Sequence, residues 1–267
     1  MVRGRIGVMD TLLAVCGIAP KLPETRCLAV INPLYLFCCV NLVFIALVLF
    51  DTCVAAAAGR FPLLAIEFGR TFTHVGKSGW ILLIAGYIFL AGLAKLRENA
   101  SGKGPPAAQL LTAAAAYIFV TVALSGLAAN LLKRAIGRAR PQFFDHEGIF
   151  SFSPFSNNAA YESFPSGHAT TAAALFVGLA LLLPSLRAPL LVAGIWIGLA
   201  RVIVGAHYPS DVIAGLALGA WFALAVAAQF ARYGILFTIN AAGWPETRYP
   251  PAPREPQADG TLSTDRA

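Results

Sequence analysis

Residues 107–141 read AAQLLTAAAAYIFVTVALSGLAANLLKRAIGRARP. The first 26 of these carry no charged side chain, and a run of roughly 20 apolar residues is what a helix needs to cross about 30 Å of hydrocarbon. Four cations then arrive together, Lys133, Arg134, Arg138 and Arg140, and Pro141 closes the stretch. The reading is a membrane-spanning helix whose end delivers a dense positive charge at one face of the bilayer.

The rest of the chain supports that reading. At 58% hydrophobic, 12% charged and a mean hydropathy of +0.70, the 267 residues are too apolar for an ordinary soluble domain. Further apolar runs lie at 29–50, 79–96, 169–186, 190–204 and from Pro209 to about residue 231. The expectation is an all-α polytopic membrane protein, a six-transmembrane-helix bundle forming one domain over 29–237. A cytoplasmic N-terminal arm (1–28) precedes it, and a disordered Pro-, Arg- and Glu-rich cytoplasmic tail (238–267) follows. Between spans one and two, Phe61, Leu64, Ala65, Phe68, Phe72 and Val75 recur at steps of three and four, with Arg60, Glu67, Arg70 and His74 off the stripe. That pattern predicts a helix lying in the interface; a helix packed on the bundle is the alternative.

The net charge of +7 comes without interleaved aromatics or a nucleic-acid motif, which argues against a nucleic-acid partner. Six spans place the termini and the even-numbered turns on one side with 12 Lys/Arg, against 8 on the other. The positive-inside rule then makes the termini cytoplasmic. Cys16, Cys27, Cys38, Cys39 and Cys53 show no metal-binding spacing and read as small apolar fillers. His146, between Asp145 and Glu147, reads as part of a solvated loop.

On the opposite, non-cytoplasmic face this topology gathers the residues able to act on a phosphate. Lys133 and Arg140 are seven apart, so a helix continuing to Pro141 would project both from one face; alone, they also read as a membrane-flanking basic cluster. Pro165-Ser166-Gly167-His168 precedes an apolar run, so it should open a helix whose free N–H groups cradle an anion. By itself that tetrapeptide is also an ordinary turn and N-cap. Asp211 follows His207 by four residues across a helix start set by Pro209. It can hold one ring nitrogen and leave the other free to attack, or simply cap the helix.

Taken together these positions resemble the type 2 phosphatidic acid phosphatase superfamily of membrane lipid phosphatases. Its three motifs read Lys-x6-Arg-Pro, Pro-Ser-Gly-His and Ser-Arg-x5-His-x3-Asp. The one departure is Ala200, where the third motif has serine. The resemblance implies His207 as nucleophile forming a phosphohistidine, Asp211 orienting it, and His168 as general acid and then base. It implies Lys133, Arg140, Ser166, Gly167 and Arg201 as the phosphate-binding set, with no metal and no cofactor. The implied activity is hydrolysis of a phosphomonoester or pyrophosphate of a membrane lipid: phosphatidate, phosphatidylglycerol phosphate, polyprenyl pyrophosphate or a lipid A type. The alternative is a phosphotransferase passing the phosphoryl group to another lipid. The expected location is a bacterial inner membrane, with the site facing the periplasm. The sequence sets no oligomeric state.

Overall fold

The structure, a computed structural model, describes residues 32–57, 60–98 and 106–248. Its helices of more than one turn are, in chain order, α1 (Pro33–Leu49), α2 (Asp51–Ala57), α3 (Leu63–Thr73), α4 (Ser78–Glu98), α5 (Pro106–Ile136), α6 (Gly167–Leu182), α7 (Arg187–Ile203) and α8 (Pro209–Arg232). A two-stranded antiparallel hairpin, β1 (Phe237–Ile239) and β2 (Pro245–Thr247), follows. The termini of the sequence, including the expected N-terminal arm and most of the expected tail, lie outside the described residues.

The helices begin where local chemistry predicts. Asn32 caps α1, its side-chain oxygen accepting from Leu34 N at 2.9 Å, with Pro33 in the first turn. Ser166 caps α6 and Pro209 opens α8. Around α1 the side chains are predominantly apolar, Leu34, Leu36, Phe37 and Phe44 are exposed, and Asn41 turns its amide back onto the Phe37 carbonyl at 2.8 Å. Such a helix suits lipid rather than water.

α6 is the axis of the bundle. Nine of its residues are buried, and α5, α7 and α8 pack round it. Its inward residues are small, Ala169, Thr170, Ala172, Ala173 and Ala174, so neighbouring backbones come close, as membrane helices do. Gly215 and Gly219 on α8 meet its backbone directly, since a Cβ at Gly219 would stand 2.1 Å from the Thr170 carbonyl oxygen. Tyr117 is fully buried in the core, edge-on to Phe230 and Phe237, and donates to the Ala223 carbonyl at 3.0 Å.

Of three expectations, the first is met in part and two need correction. By length and composition four segments can cross a membrane, 63–97, 107–136, 184–203 and 209–232; α1 and α2, bent by 49°, add a fifth if they act as one span. At 16 residues, α6 is about 24 Å long, short of the hydrocarbon thickness, because it is sheathed by protein along much of its length. Second, the chain expected to be disordered from residue 238 is ordered as far as 248. β1 and β2 pair there, Arg248 N donates to the Leu236 carbonyl at 2.8 Å, and Phe237 is fully buried. Third, α5 stops at Ile136 rather than running to Pro141. Gly137 turns left-handed (φ 63°), where a Cβ would meet the Ser153 carbonyl. Residues 137–139 then pair with the returning strap, Ser153 N to Gly137 O at 2.7 Å and Ala139 N to Ser151 O at 2.9 Å. Arg140 is therefore presented by extended backbone, not by the helical face it was expected to share with Lys133.

Candidate active site

Four chain segments converge at one end of the bundle: the end of α5, the start of α6, the turn 204–208 after α7, and the start of α8. Ser166 N donates to the Asp211 carbonyl at 2.9 Å, tying the first turns of α6 and α8 together. The Ser166 hydroxyl is buried and accepts from Ala169 N at 3.5 Å, and its own proton meets no acceptor among the described residues. Lys133 is 8% exposed; its Cε and Nζ lie 3.5 Å from where a Gly167 side chain would begin. The ammonium thus sits against the N-terminus of α6, at ordinary contact distance from where a Cβ at position 167 would stand. Cation and free N–H groups face the same point, an arrangement suited to an oxyanion.

Arg140 donates Nε to the Ala159 carbonyl at 3.1 Å, which leaves its two Nη groups without a protein acceptor among the described residues. Arg201 donates Nη1 to the Thr73 hydroxyl at 2.9 Å, and its buried Nε has no partner among the described residues. Ala200 is buried, and the hydroxyl that reaches Arg201 comes from α3, which approaches α7 closely at Gly69. His168 stands in the first turn of α6, beside the turn His74–Gly76; burial first, then Arg201, His207, Lys133 and Lys77, disfavour its protonated form, an effect that an arriving phosphate dianion opposes.

His207 is 2% exposed. Its Nδ1 lies 2.9 Å from the Ser163 carbonyl oxygen and 3.8 Å from Asp211 Oδ2. A carbonyl only accepts, so Nδ1 carries the proton and Nε2 carries the lone pair. The pairing expected of Asp211 is thus made by Ser163, with the carboxylate close behind as a charge. Burial pushes the His207 pKa down to about 4, although the Asp211 carboxylate pulls it upward. The ring is therefore neutral near pH 7, the form a nucleophile requires.

Asp211 is fully buried and saturated. Oδ2 accepts from the Ser163 hydroxyl at 2.6 Å and from Tyr208 N at 3.0 Å, the latter being half of a capping box. Oδ1 accepts from Arg138 Nη1 at 2.6 Å. Arg138 also reaches Ser210 and Asp51. Sequence reasoning missed Asp51, Thr73, Arg138 and Ser163. Arg138 looked like one more flanking cation, and Asp51 like the start of a polar connection; a lone carboxylate ending an apolar span was the available signal. Lys133, Arg140, Ser166, Gly167, His168, Arg201, His207 and Asp211 are all brought to this one end. His146 lies on a one-turn helix, Phe144–Glu147, rather than in the loop expected for it.

Residues 114–234 match the family model described as the PAP2 superfamily. The chain is 48% identical to a lipid A 1-phosphatase of Rhizobium etli over 210 residues, 79% of this chain and 90% of that protein. It is 34% identical to a decaprenylphosphoryl-5-phosphoribose phosphatase of Mycobacterium tuberculosis over 157 residues, 57% of this chain and 72% of the other. The fold resembles the crystal structure of a transmembrane PAP2-type phosphatidylglycerolphosphate phosphatase from Bacillus subtilis. The TM-score is 0.52 at 22% identity, over 77% of this chain and 96% of that one. With both histidines, three cations and the buried aspartate at one end of a membrane bundle, and with relatives of this kind, the chain belongs to the PAP2 superfamily and is a membrane lipid phosphatase.

Proposed function

We propose that this protein hydrolyses a phosphomonoester carried on the sugar of a membrane glycolipid, of the lipid A 1-phosphate type, at the non-cytoplasmic face and through a phosphohistidine on His207. The observation that carries the mechanism is the His207 ring: neutral, buried, and pinned by the Ser163 carbonyl in the tautomer with Nε2 free. Two lipid A 1-phosphatases from Rhizobium, 48% and 47% identical, support the substrate class.

In the first step Nε2 of His207 attacks phosphorus, and the bond to the sugar oxygen breaks. That oxygen takes a proton from His168. The developing charge on the three phosphoryl oxygens is met by Lys133, Arg140, Arg201, Gly167 N–H and the Ser166 hydroxyl. In the second step water gives its proton to His168 and attacks phosphorus, the P–N bond breaks, and phosphate leaves. The Asp211 carboxylate, 3.8 Å behind the ring, stabilises the positive charge that imidazole acquires while phosphorylated.

The site lies at the interface, where a lipid head group would meet it. α3 presents Leu63, Leu64 and Phe68 outward, 80%, 84% and 52% exposed. This supports α3 as a helix seated among head groups; the bundle has six spans on this reading, with the apolar, largely buried α6 as the sheathed one. A cysteine at Asn158, in a protein lacking the native cysteines, is then labelled from the periplasmic side, and one at Ser263 is not. The reverse pattern would place the site in the cytoplasm. The substrate is tested with purified protein in detergent micelles containing lipid A 1,4′-bisphosphate, phosphatidylglycerol phosphate or polyprenyl diphosphate. Selective release of the 1-phosphate is expected; preference for either of the other lipids overturns the substrate assignment.

A further inference from the structure

Arg138 and Asp51 lie outside the motif positions, yet they are among the most buried charges in the molecule, at 2% and 0% exposed. They come from distant parts of the chain. Asp51 begins α2 at the bend after α1, and Arg138 follows the left-handed Gly137. Asp51 Oδ1 accepts from Ser210 N at 3.0 Å, and Oδ2 accepts from Arg138 Nη2 at 2.9 Å and from the Ser210 hydroxyl. Arg138 Nη1 donates to Asp211 Oδ1 at 2.6 Å and to Ser210 Oγ at 2.8 Å. Its Nε and Nη2 also donate to the Ile149 carbonyl, at 3.3 and 3.2 Å. The guanidinium lies 4.2 Å from the centre of the Tyr208 ring. Every nitrogen of Arg138 is thus committed to protein, whereas Arg140 and Arg201 keep donors free. Arg138 is not built to hold a phosphate.

We propose that Asp51 and Arg138 are positioning residues for the reaction: Arg138, clamped by Asp51, fixes the Asp211 carboxylate behind His207, and Asp51 keeps the charge of the group negative. The inference rests on the phosphohistidine reading above. The geometry calls for both members. Asp211 does not touch the imidazole at hydrogen-bond length, so its effect on the ring is electrostatic and depends on where the carboxylate is held. Arg138 holds it rigidly, through a planar fork that Lys cannot reproduce. Arg138 alone would also cancel the Asp211 charge. The second carboxylate restores a net charge of minus one to the three-residue group, opposite the positive charge that His207 gains when Nε2 bonds to phosphorus. Asp51 therefore links the bent pair α1 and α2, which contributes none of the three motifs, to the chemical step.

A buried ion network is by itself weak grounds for a functional role, since it can serve folding alone. The test separates the two. Wild type, Asp51→Asn, Arg138→Lys and His207→Ala are assayed on lipid A 1,4′-bisphosphate micelles for kcat, KM and single-turnover phosphoenzyme formation, with thermal midpoints in the same detergent. For Asp51→Asn and Arg138→Lys, kcat and the phosphoenzyme rate should fall together by about 10- to 100-fold, with KM within about twofold, because the lost interaction acts on the charged intermediate and not on substrate binding. Three outcomes overturn the proposal: kcat within twofold of wild type in a folded variant, a raised KM with kcat retained, or both variants failing to fold. If His207→Ala keeps turnover or wild type forms no phosphoenzyme, the underlying phosphohistidine reading fails instead.

Discussion

Replacing Gly219 by alanine should disable the site from two helical turns below it. A Cβ at this position would stand 2.1 Å from the Thr170 carbonyl oxygen, 2.8 Å from Ala174 N and 2.9 Å from the Ala173 Cβ. Two of these are backbone atoms of α6 and cannot swing aside. Carbon atoms of this kind do not come within 3.0 Å of a neighbour, so α8 must retreat from α6 by about 1 Å. His168 lies two residues from Thr170 on α6, and Asp211 lies eight residues before Gly219 on α8, with Ser166 N bonded to the Asp211 carbonyl between them. Opening this crossing separates acid from nucleophile. Overpacking of this kind costs about 1–3 kcal/mol of stability, and a misplacement of about 1 Å can cost on the order of 100-fold in turnover. The assay is phosphate release from lipid micelles by purified protein, with thermal midpoints measured alongside. Gly126→Ala on α5 is the control: nothing lies within 4 Å of its added methyl, so turnover should match wild type. Wild-type turnover and midpoint in Gly219→Ala would refute the idea that the α6–α8 contact sets the site geometry.

Other outcomes follow from single side chains. Arg201→Ala should lose about 10²–10³ in turnover as one preorganised phosphate contact disappears, whereas Arg134→Ala, whose side chain is 70% exposed, should stay near wild type; equal small losses in steady-state assays would sink the assignment. Thr73→Val should raise KM about 3- to 10-fold by freeing the Arg201 guanidinium, and Thr73→Ser should restore it. His207 has a pKa near 4 when folded against 6.5 as a free group, so only the unfolded chain binds this proton between those values. Stability should then be flat above pH 6.5 on this account and fall as pH drops toward 4, by up to about 3 kcal/mol. Thermal midpoints of His207→Asn against pH should lack that component.

How much of this was readable in advance depended on range. Spacing within one segment was legible: Pro165 to His168 opens a helix, and His207 and Asp211 flank a helix start, because capping and proline geometry are local. The grouping of all three motifs at one end followed from counting apolar runs. What failed was tertiary. Nothing near Lys133 announces that Gly137 will break the helix, since the break is stabilised by the strap at 151–153. Asp51 meets Ser210 across 159 positions, beyond any periodic pattern, and Thr73 serves Arg201 only because Gly69 lets α3 lie close to α7. The count of spanning helices is met only in part for a related reason: a helix covered by protein need not match the bilayer.

The central claim is that His207 carries the phosphoryl group. Radiolabelled lipid phosphate mixed with enzyme and quenched within milliseconds tests it most directly. Wild type should show an acid-labile, base-stable phosphoprotein that maps to His207, unaffected by EDTA because Asp51 and Asp211, the buried carboxylates of the site, are already taken up by Arg138, Ser163, Ser210 and backbone N–H groups. His168→Ala should form and lose that label slowly, and His207→Ala should show none. Turnover without the label, or a label that persists in His207→Ala, would contradict the account.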